Sequence, residues 1–198
     1  MSPRPSVEAL RRDEVMSATW QLITELGAAR VRVADIAERV GSSTGTVHYY
    51  FDTKRDVLDA AFRYAVEESR RRSAEALAGH AEPWTRLVAL LEAHMPRGDV
   101  QKEWLIWLQL WAEASVRPEL RSLNDEHYRQ WIDRVEEIVL DGQAKGTFRA
   151  IDARDFATRL LTMMDGLVIQ LTMNSTEIDL PHLRRLLFGF AQEQLAPA

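Results

Sequence analysis

Apolar residues return along this chain at helical intervals, and no stretch alternates as a strand would. In the first segment Val15, Ala18, Leu22 and Leu26 recur three and four residues apart with Ile23 beside them. That is one buried stripe on a helix of about five turns. Ser6 is a suitable N-cap, and Gly27 is placed to end the helix as its C′ residue. A short helix follows with Ile36, Ala37 and Val40 on one face, ended by Gly41. Ser42-Ser43 then forms a capping pair before a second short apolar-faced stretch, Thr46 to Phe51. Thr53 with Asp56 three residues on predicts a capping box with Asp in place of Glu. It opens a long helix, 53–78, carrying Val57, Leu58, Ala61, Phe62, Ala65 and Val66.

Beyond Gly79 and Pro83 the pattern predicts five more helices, roughly 83–96, 101–115, 117–141, 152–174 and 179–195. Pro96-Arg97-Gly98, Arg117-Pro118, Gly142 to Gly146 and Asn174-Ser175-Thr176 punctuate them. The expected fold class is therefore all-α. Its expected division is a head, residues 1–52, and a helical body, residues 53–198, with helix 53–78 as the connection.

Two short helices joined by a tight glycine turn are the helix-turn-helix pattern. Here it runs Asp35-Ile36-Ala37-Glu38-Arg39-Val40-Gly41-Ser42-Ser43-Thr44-Gly45-Thr46-Val47. Ala37 is small where two helices cross, and Gly41 tolerates a positive φ in the turn. Outward on the second helix stand Thr44, Gly45, Thr46, His48, Tyr49 and Tyr50, with no acid to repel phosphate. A helical hairpin of any bundle would share the spacing. Two tyrosines and a histidine on so short a helix, followed by Lys54-Arg55 at the mouth of the next, favour a DNA face.

Charge refines this picture. Residues 1–80 carry 12 basic and 12 acidic side chains, and the remaining 13 and 18 supply the whole net charge of −5. A neutral head on an acidic body can still bind DNA if its cations cluster on one face. There are no cysteines, so disulfides and thiolate metal sites are excluded. The five histidines (His48, His80, His94, His127, His182) show no metal-ligand spacing, and neither a metal nor another cofactor is expected. No run is long and apolar enough for a membrane span, and the opening residues lack the apolar stretch of a secretory leader. A cytoplasmic protein is the expectation. No nucleophile–base pair, phosphate loop or carboxylate pair is visible, so no catalytic residue and no enzyme are expected.

Residues 11–60, above all Val33-Ala34-Asp35-Ile36-Ala37-Glu38-Arg39-Val40-Gly41-Ser42-Ser43-Thr44-Gly45-Thr46-Val47-His48-Tyr49-Tyr50-Phe51-Asp52-Thr53-Lys54, resemble the DNA-binding domain of the tetracycline-repressor (TetR) family. The resemblance implies a three-helix head with the helix near Ser43 in the major groove of double-stranded DNA. By position it implies a DNA face of Ser43, Thr44, Gly45, Thr46, His48, Tyr49 and Tyr50, with Lys54 clamping the backbone. Two positions depart from the family pattern. Arg32 stands where Ser or Thr commonly caps, which moves a phosphate contact onto its guanidinium. Ala34 stands where Lys or Arg often reaches DNA, which removes one.

The body resembles the subgroup that includes the BetI repressor of choline oxidation, through Lys102-Glu103-Trp104-Leu105-Ile106-Trp107-Leu108-Gln109-Leu110-Trp111-Ala112-Glu113, Arg117-Pro118-Glu119-Leu120 and Asp165-Gly166-Leu167. Trp104, Trp107, Leu108 and Trp111 share one helical face. They either fill the core or line an effector pocket, where tryptophan faces would attract a cation and Glu103, Glu113 or Asp165 would supply charge. A neutral pocket would instead take a lipophilic ligand. Gly166, in mid-helix at a cost of about 1 kcal/mol against Ala, implies a close approach. With Leu167, and with Leu186 and Phe190 on the last helix, it marks the expected homodimer surface. The resemblance implies a ligand-responsive repressor that holds a palindromic operator as a dimer, its reading helices ~34–36 Å apart.

Overall fold

Nine α-helices and no strand make up the described residues, 7–96 and 99–196, of the computed structural model. The first three are α1 (Val7–Leu26), α2 (Val33–Arg39) and α3 (Thr44–Tyr50). A long α4 (Lys54–Leu77) leads into α5 (Pro83–Ala93), α6 (Asp99–Ala114), α7 (Pro118–Ala144), α8 (Ala153–Thr172) and α9 (Leu180–Leu195). The all-α architecture expected from the periodicity is what forms. The expected N-cap Ser6 and the expected turn at Arg97-Gly98 lie outside the described residues.

The helix ends follow the local chemistry. Gly27 and Gly41 take φ +79° and +61°, the left-handed backbone that closes α1 and turns α2 into α3. At α4 the capping box is complete: Thr53 Oγ1 accepts from the Asp56 N–H at 3.2 Å, and Asp56 Oδ2 accepts from the Thr53 N–H at 2.9 Å. Pro83 and Pro118 open α5 and α7 at their first positions, where a missing N–H costs nothing. Two boundaries differ from expectation by three residues, and at the first α5 ends at Ala93 rather than near 96. Gly142 does not stop α7, which continues to Ala144. A Cβ on Gly142 would lie 2.1 Å from the Phe148 ring, so this glycine admits a returning aromatic side chain rather than a turn.

Ile23, Val31, Ile36, Val47 and Phe51 form the core of the head, and Val57 of α4 closes it. Farther along, α4 buries Phe62, Val66, Ser69 and Ser73. It packs on α1 at one end and on α5 and α7 at the other. The connecting helix is thus a structural member of both ends. In the body, α7 lies against α5, α6 and α8, and α8 carries α9. Among the described residues no helix is long and apolar enough to cross a membrane.

Candidate functional sites: a reading helix and a tryptophan cavity

Ser43 caps α3: its Oγ accepts from the Thr46 N–H at 3.2 Å and lies 3.1 Å from Thr46 Oγ1. Val47 is the buried anchor of α3. Ser43, Thr44, Gly45, His48 and Tyr49 are exposed, and Tyr49 is 71% accessible. Thr46 is half-buried, and Tyr50 leans onto the core with Tyr49 edge-on against it, ring centroids 5.0 Å apart. Arg32 precedes α2 with its guanidinium on Asp35 (2.8 Å), while Asp35 also accepts from the Arg32 N–H at 3.0 Å. The acid half of a capping box therefore forms at a position whose side chain cannot accept. Lys54 begins α4 and donates from Nζ to the Ala29 carbonyl at 3.0 Å, tying α4 to the turn after α1.

A second constellation lies inside the body. Ser69 of α4, His94 after α5, Trp104, Trp107 and Trp111 of α6, His127, Tyr128 and Trp131 of α7, and Leu161, Met164 and Asp165 of α8 surround a narrow cavity of about 30 Å³. Three tryptophans marked by spacing thus meet Asp165 in one place. Leu108 is half-buried and not among the lining residues. Of the other acids considered, Glu103 pairs with Arg72 at 2.6 Å and Glu113 with Arg117 at 3.4 Å, which leaves Asp165 as the carboxyl at the cavity.

Burial dominates the chemistry there. The Tyr128 hydroxyl donates to Asp165 Oδ2, yet desolvation outweighs that bond and raises the Asp165 carboxyl to about 7. Burial, then the adjacent carboxylate, raises the Tyr128 phenol, so it stays protonated. His127 stacks on Trp107, ring centroids 4.8 Å apart at 12°, and burial lowers it to about 3. His94 is lowered to about 4 by burial. Its Nδ1 is 2.9 Å from the Leu90 carbonyl, and its Nε2 is 3.3 Å from both the Ser69 and Ser73 hydroxyls. Both imidazoles are therefore neutral at pH 7. Trp104 Nε1 donates to the His94 carbonyl (3.2 Å) and Trp111 Nε1 to Asn124 Oδ1 (3.1 Å), fixing two ring planes. The Trp131 Nε1 and His127 Nδ1 atoms are buried without a protein partner.

Sequence reasoning missed Ser69, His94, His127, Tyr128, Trp131, Leu161 and Met164 as residues of this cavity. His127, Tyr128 and Trp131 do recur at helical spacing in one segment, a signal comparable to that of α6. The residues expected at a dimer surface lie on α8 and α9. Gly166 is exposed, with nothing within 4 Å of a Cβ built on it. Leu167 and Phe190 are half-buried, Phe190 stacked on Phe156 at 5.8 Å, and Leu186 is exposed.

Comparison with known proteins places both parts. Residues 15–61 match the model of bacterial regulatory proteins of the tetR family, and residues 83–196 match that of the BetI-type transcriptional repressor C-terminal domain. The HTH-type transcriptional regulator BetI of Stenotrophomonas maltophilia (strain R551-3) is 29% identical over 198 residues, 99% of this chain and 98% of that one. Its counterpart in Paraburkholderia xenovorans (strain LB400) is 30% identical over 186 residues, 89% of each chain. Among solved structures, a putative transcriptional regulator from Saccharomonospora viridis in complex with choline superimposes with a TM-score of 0.89 at 34% identity. That match covers 94% of this chain and 98% of the other. The chain is a DNA-binding transcriptional regulator, not an enzyme, and belongs to the TetR family with a BetI-type C-terminal domain.

Proposed function

We propose that this protein is a homodimeric repressor that holds a palindromic operator and releases it when a small organic cation enters the tryptophan cavity. The observation that carries this reading is the convergence of four tryptophans, Tyr128 and the buried carboxyl of Asp165 on one cavity. Indole faces attract cations most strongly when water is excluded, and a carboxylate supplies the counter-charge. The Saccharomonospora viridis neighbour binds choline, which supports a quaternary ammonium as the ligand class. A cation also favours the ionised form of Asp165, so ligand binding and deprotonation go together.

In this reading residues 1–52 are the DNA-binding domain and residues 53–198 the effector and dimerisation domain. Ser43, Thr44, Gly45, Thr46, His48, Tyr49 and Tyr50 face the major groove, and Arg32 and Lys54 reach phosphates. Trp104, Trp107, Trp111, Trp131, Tyr128 and Asp165 hold the cation. Gly166, Leu167, Leu186 and Phe190 meet their copies in a second subunit, and the protein works in the cytoplasm. The cavity is narrow, about 30 Å³, so an organic ligand enters it by parting the helices that line it. Differential affinity for the parted and closed arrangements then drives release.

Selection of bound fragments from random DNA by the purified protein identifies the operator. Choline, a neutral analogue of equal size and an anionic analogue are then titrated against the protein–operator complex, with tryptophan fluorescence and DNA release followed together. Choline is expected to quench fluorescence and release the DNA while the analogues do neither. Release by the neutral or anionic analogue, with choline inert, contradicts the reading.

A further inference from the structure

The Arg117-Pro118-Glu119-Leu120 run has no part in either site. Arg117 sits at the corner between α6 and α7, and that corner is stiff. Pro118 starts α7, the Arg117 N–H donates to the Glu113 carbonyl at 3.0 Å, and Arg121 donates to the Ala114 and Ser115 carbonyls at 3.3 and 2.9 Å. The Arg117 guanidinium lines the cleft between head and body, with Leu58, Phe62, Gln109 and Glu113 among its other walls. There Nη1 donates to Asp59 Oδ1 at 2.7 Å and Nη2 donates to Asp59 Oδ2. Their side chains are only 13% and 24% exposed, so the pair is largely shielded from solvent.

Asp59 lies in the second turn of α4, whose first turn is tied through Lys54 to the Ala29 carbonyl of the head. On the facing helix, Gln109 Oε1 accepts from the Ala28 N–H at 3.4 Å, and Glu113 Oε2 is 3.4 Å from Arg117 Nη1. Thus α6 lines the tryptophan cavity through Trp104, Trp107 and Trp111 and meets the head and Arg117 through Gln109 and Glu113. A bidentate guanidinium–carboxylate pair resists both separation and twist, which a single ammonium contact does not.

We propose that the Arg117–Asp59 pair is the link that carries occupancy of the tryptophan cavity to the DNA-binding head, with Arg117 a positioning residue that touches neither ligand nor DNA. When a ligand parts the cavity, α6 and the α6–α7 corner shift together, and the fork draws the start of α4 with them. This inference rests on the cation-gated reading above for its trigger, but not for its geometry.

The test uses the full chain and two conservative variants, Arg117→Lys and Asp59→Asn, with choline as the probe. Choline affinity is read by tryptophan fluorescence, and operator affinity is read with and without saturating choline. Both variants are expected to bind choline within about twofold of the unmodified protein, while the choline-induced change in operator affinity falls to about twofold or less. A full response in both variants overturns the proposal. So does a parallel loss of choline affinity, which would make the pair a support of the cavity. A second measurement needs no ligand. Because the chain has no cysteine, spin labels at Glu38→Cys on α2 and Arg129→Cys on α7 report the head-to-body distance within one subunit diluted among unlabelled ones. Arg117→Lys is expected to broaden that distance distribution, and an unchanged width overturns the link. If the unmodified protein ignores choline, the cation-gated reading fails while the label width still decides the link.

Discussion

Helix α3 and the tryptophan cavity use aromatic residues in opposite ways. On α3, Tyr49 stands 71% exposed among small polar residues, with no acid on the helix. In the cavity, Trp131 is 2% exposed and Asp165 is held among rings. Exposed contacts to DNA are individually weak, screened by salt and summed over many phosphates. A buried carboxyl feels a low dielectric, so one group shifts its pKa to about 7 while the rings around it pack the body. The head can therefore lose a contact and stay folded. The cavity cannot lose one without consequences for the whole body.

Substitutions at the two places should separate these behaviours. The largest effect is expected at Trp131→Ala, which removes a fully buried ring from α7 and should cost about 3–5 kcal/mol in denaturant unfolding together with the choline response. A loss below about 1 kcal/mol would mean that Trp131 does not hold the body together.

Asp165→Asn should sharpen the electrostatic side of the contrast. The folded-state pKa of Asp165 is raised from 3.8 to about 7, so the folded protein holds this proton more tightly than the unfolded chain. The stability it contributes is complete below pH 3.8 and is lost as pH rises through about 7. At pH 8 the unliganded Asn variant should therefore be more stable, by up to about 4 kcal/mol. Choline affinity of the unmodified protein should rise with pH through about 7 and level above it, while the variant binds weakly at every pH. Equal pH slopes for the two proteins would remove Asp165 from cation recognition.

On the head the expected effects are smaller and leave folding intact. Tyr49→Ala should weaken operator binding by ~1–3 kcal/mol, with the thermal midpoint unchanged. Affinity equal to the unmodified protein would take Tyr49 off the DNA face. Least of all, Ser43→Ala should cost about 1 kcal/mol of stability through the lost N-cap of α3, measured by the shift of the denaturation midpoint. No shift would mean that the cap contributes nothing.

The same contrast explains what could be read along the chain. The head is local. Gly41, the Ser43 cap and Val47 lie within seven residues, so spacing alone indicates both the turn and the outward face of α3. The helix boundaries were legible to within a few residues because Gly27, Thr53, Pro83 and Pro118 act on their own neighbours. Gly142 was not, because its role depends on Phe148 returning from beyond the helix. Trp104, Trp107 and Trp111 were legible as one face, but whether that face filled the core or lined a pocket depended on partners from α4, α7 and α8. Leu108 shares their spacing and yet is absent from the cavity wall, since a helical stripe is broader than the cavity it faces. Arg117 was visible as part of a family-like run, but its bond to Asp59, 58 residues away, was not.

If the cavity and helix α3 are two ends of one equilibrium, thermodynamic reciprocity must hold between choline and the operator. Operator affinity is measured with and without saturating choline, and choline affinity with and without saturating operator, at one pH and salt concentration. Linkage requires both affinities to fall by the same factor, within the roughly 5–150-fold range typical of allosteric coupling. Choline binding that is indifferent to bound operator would mean that the two sites are not coupled.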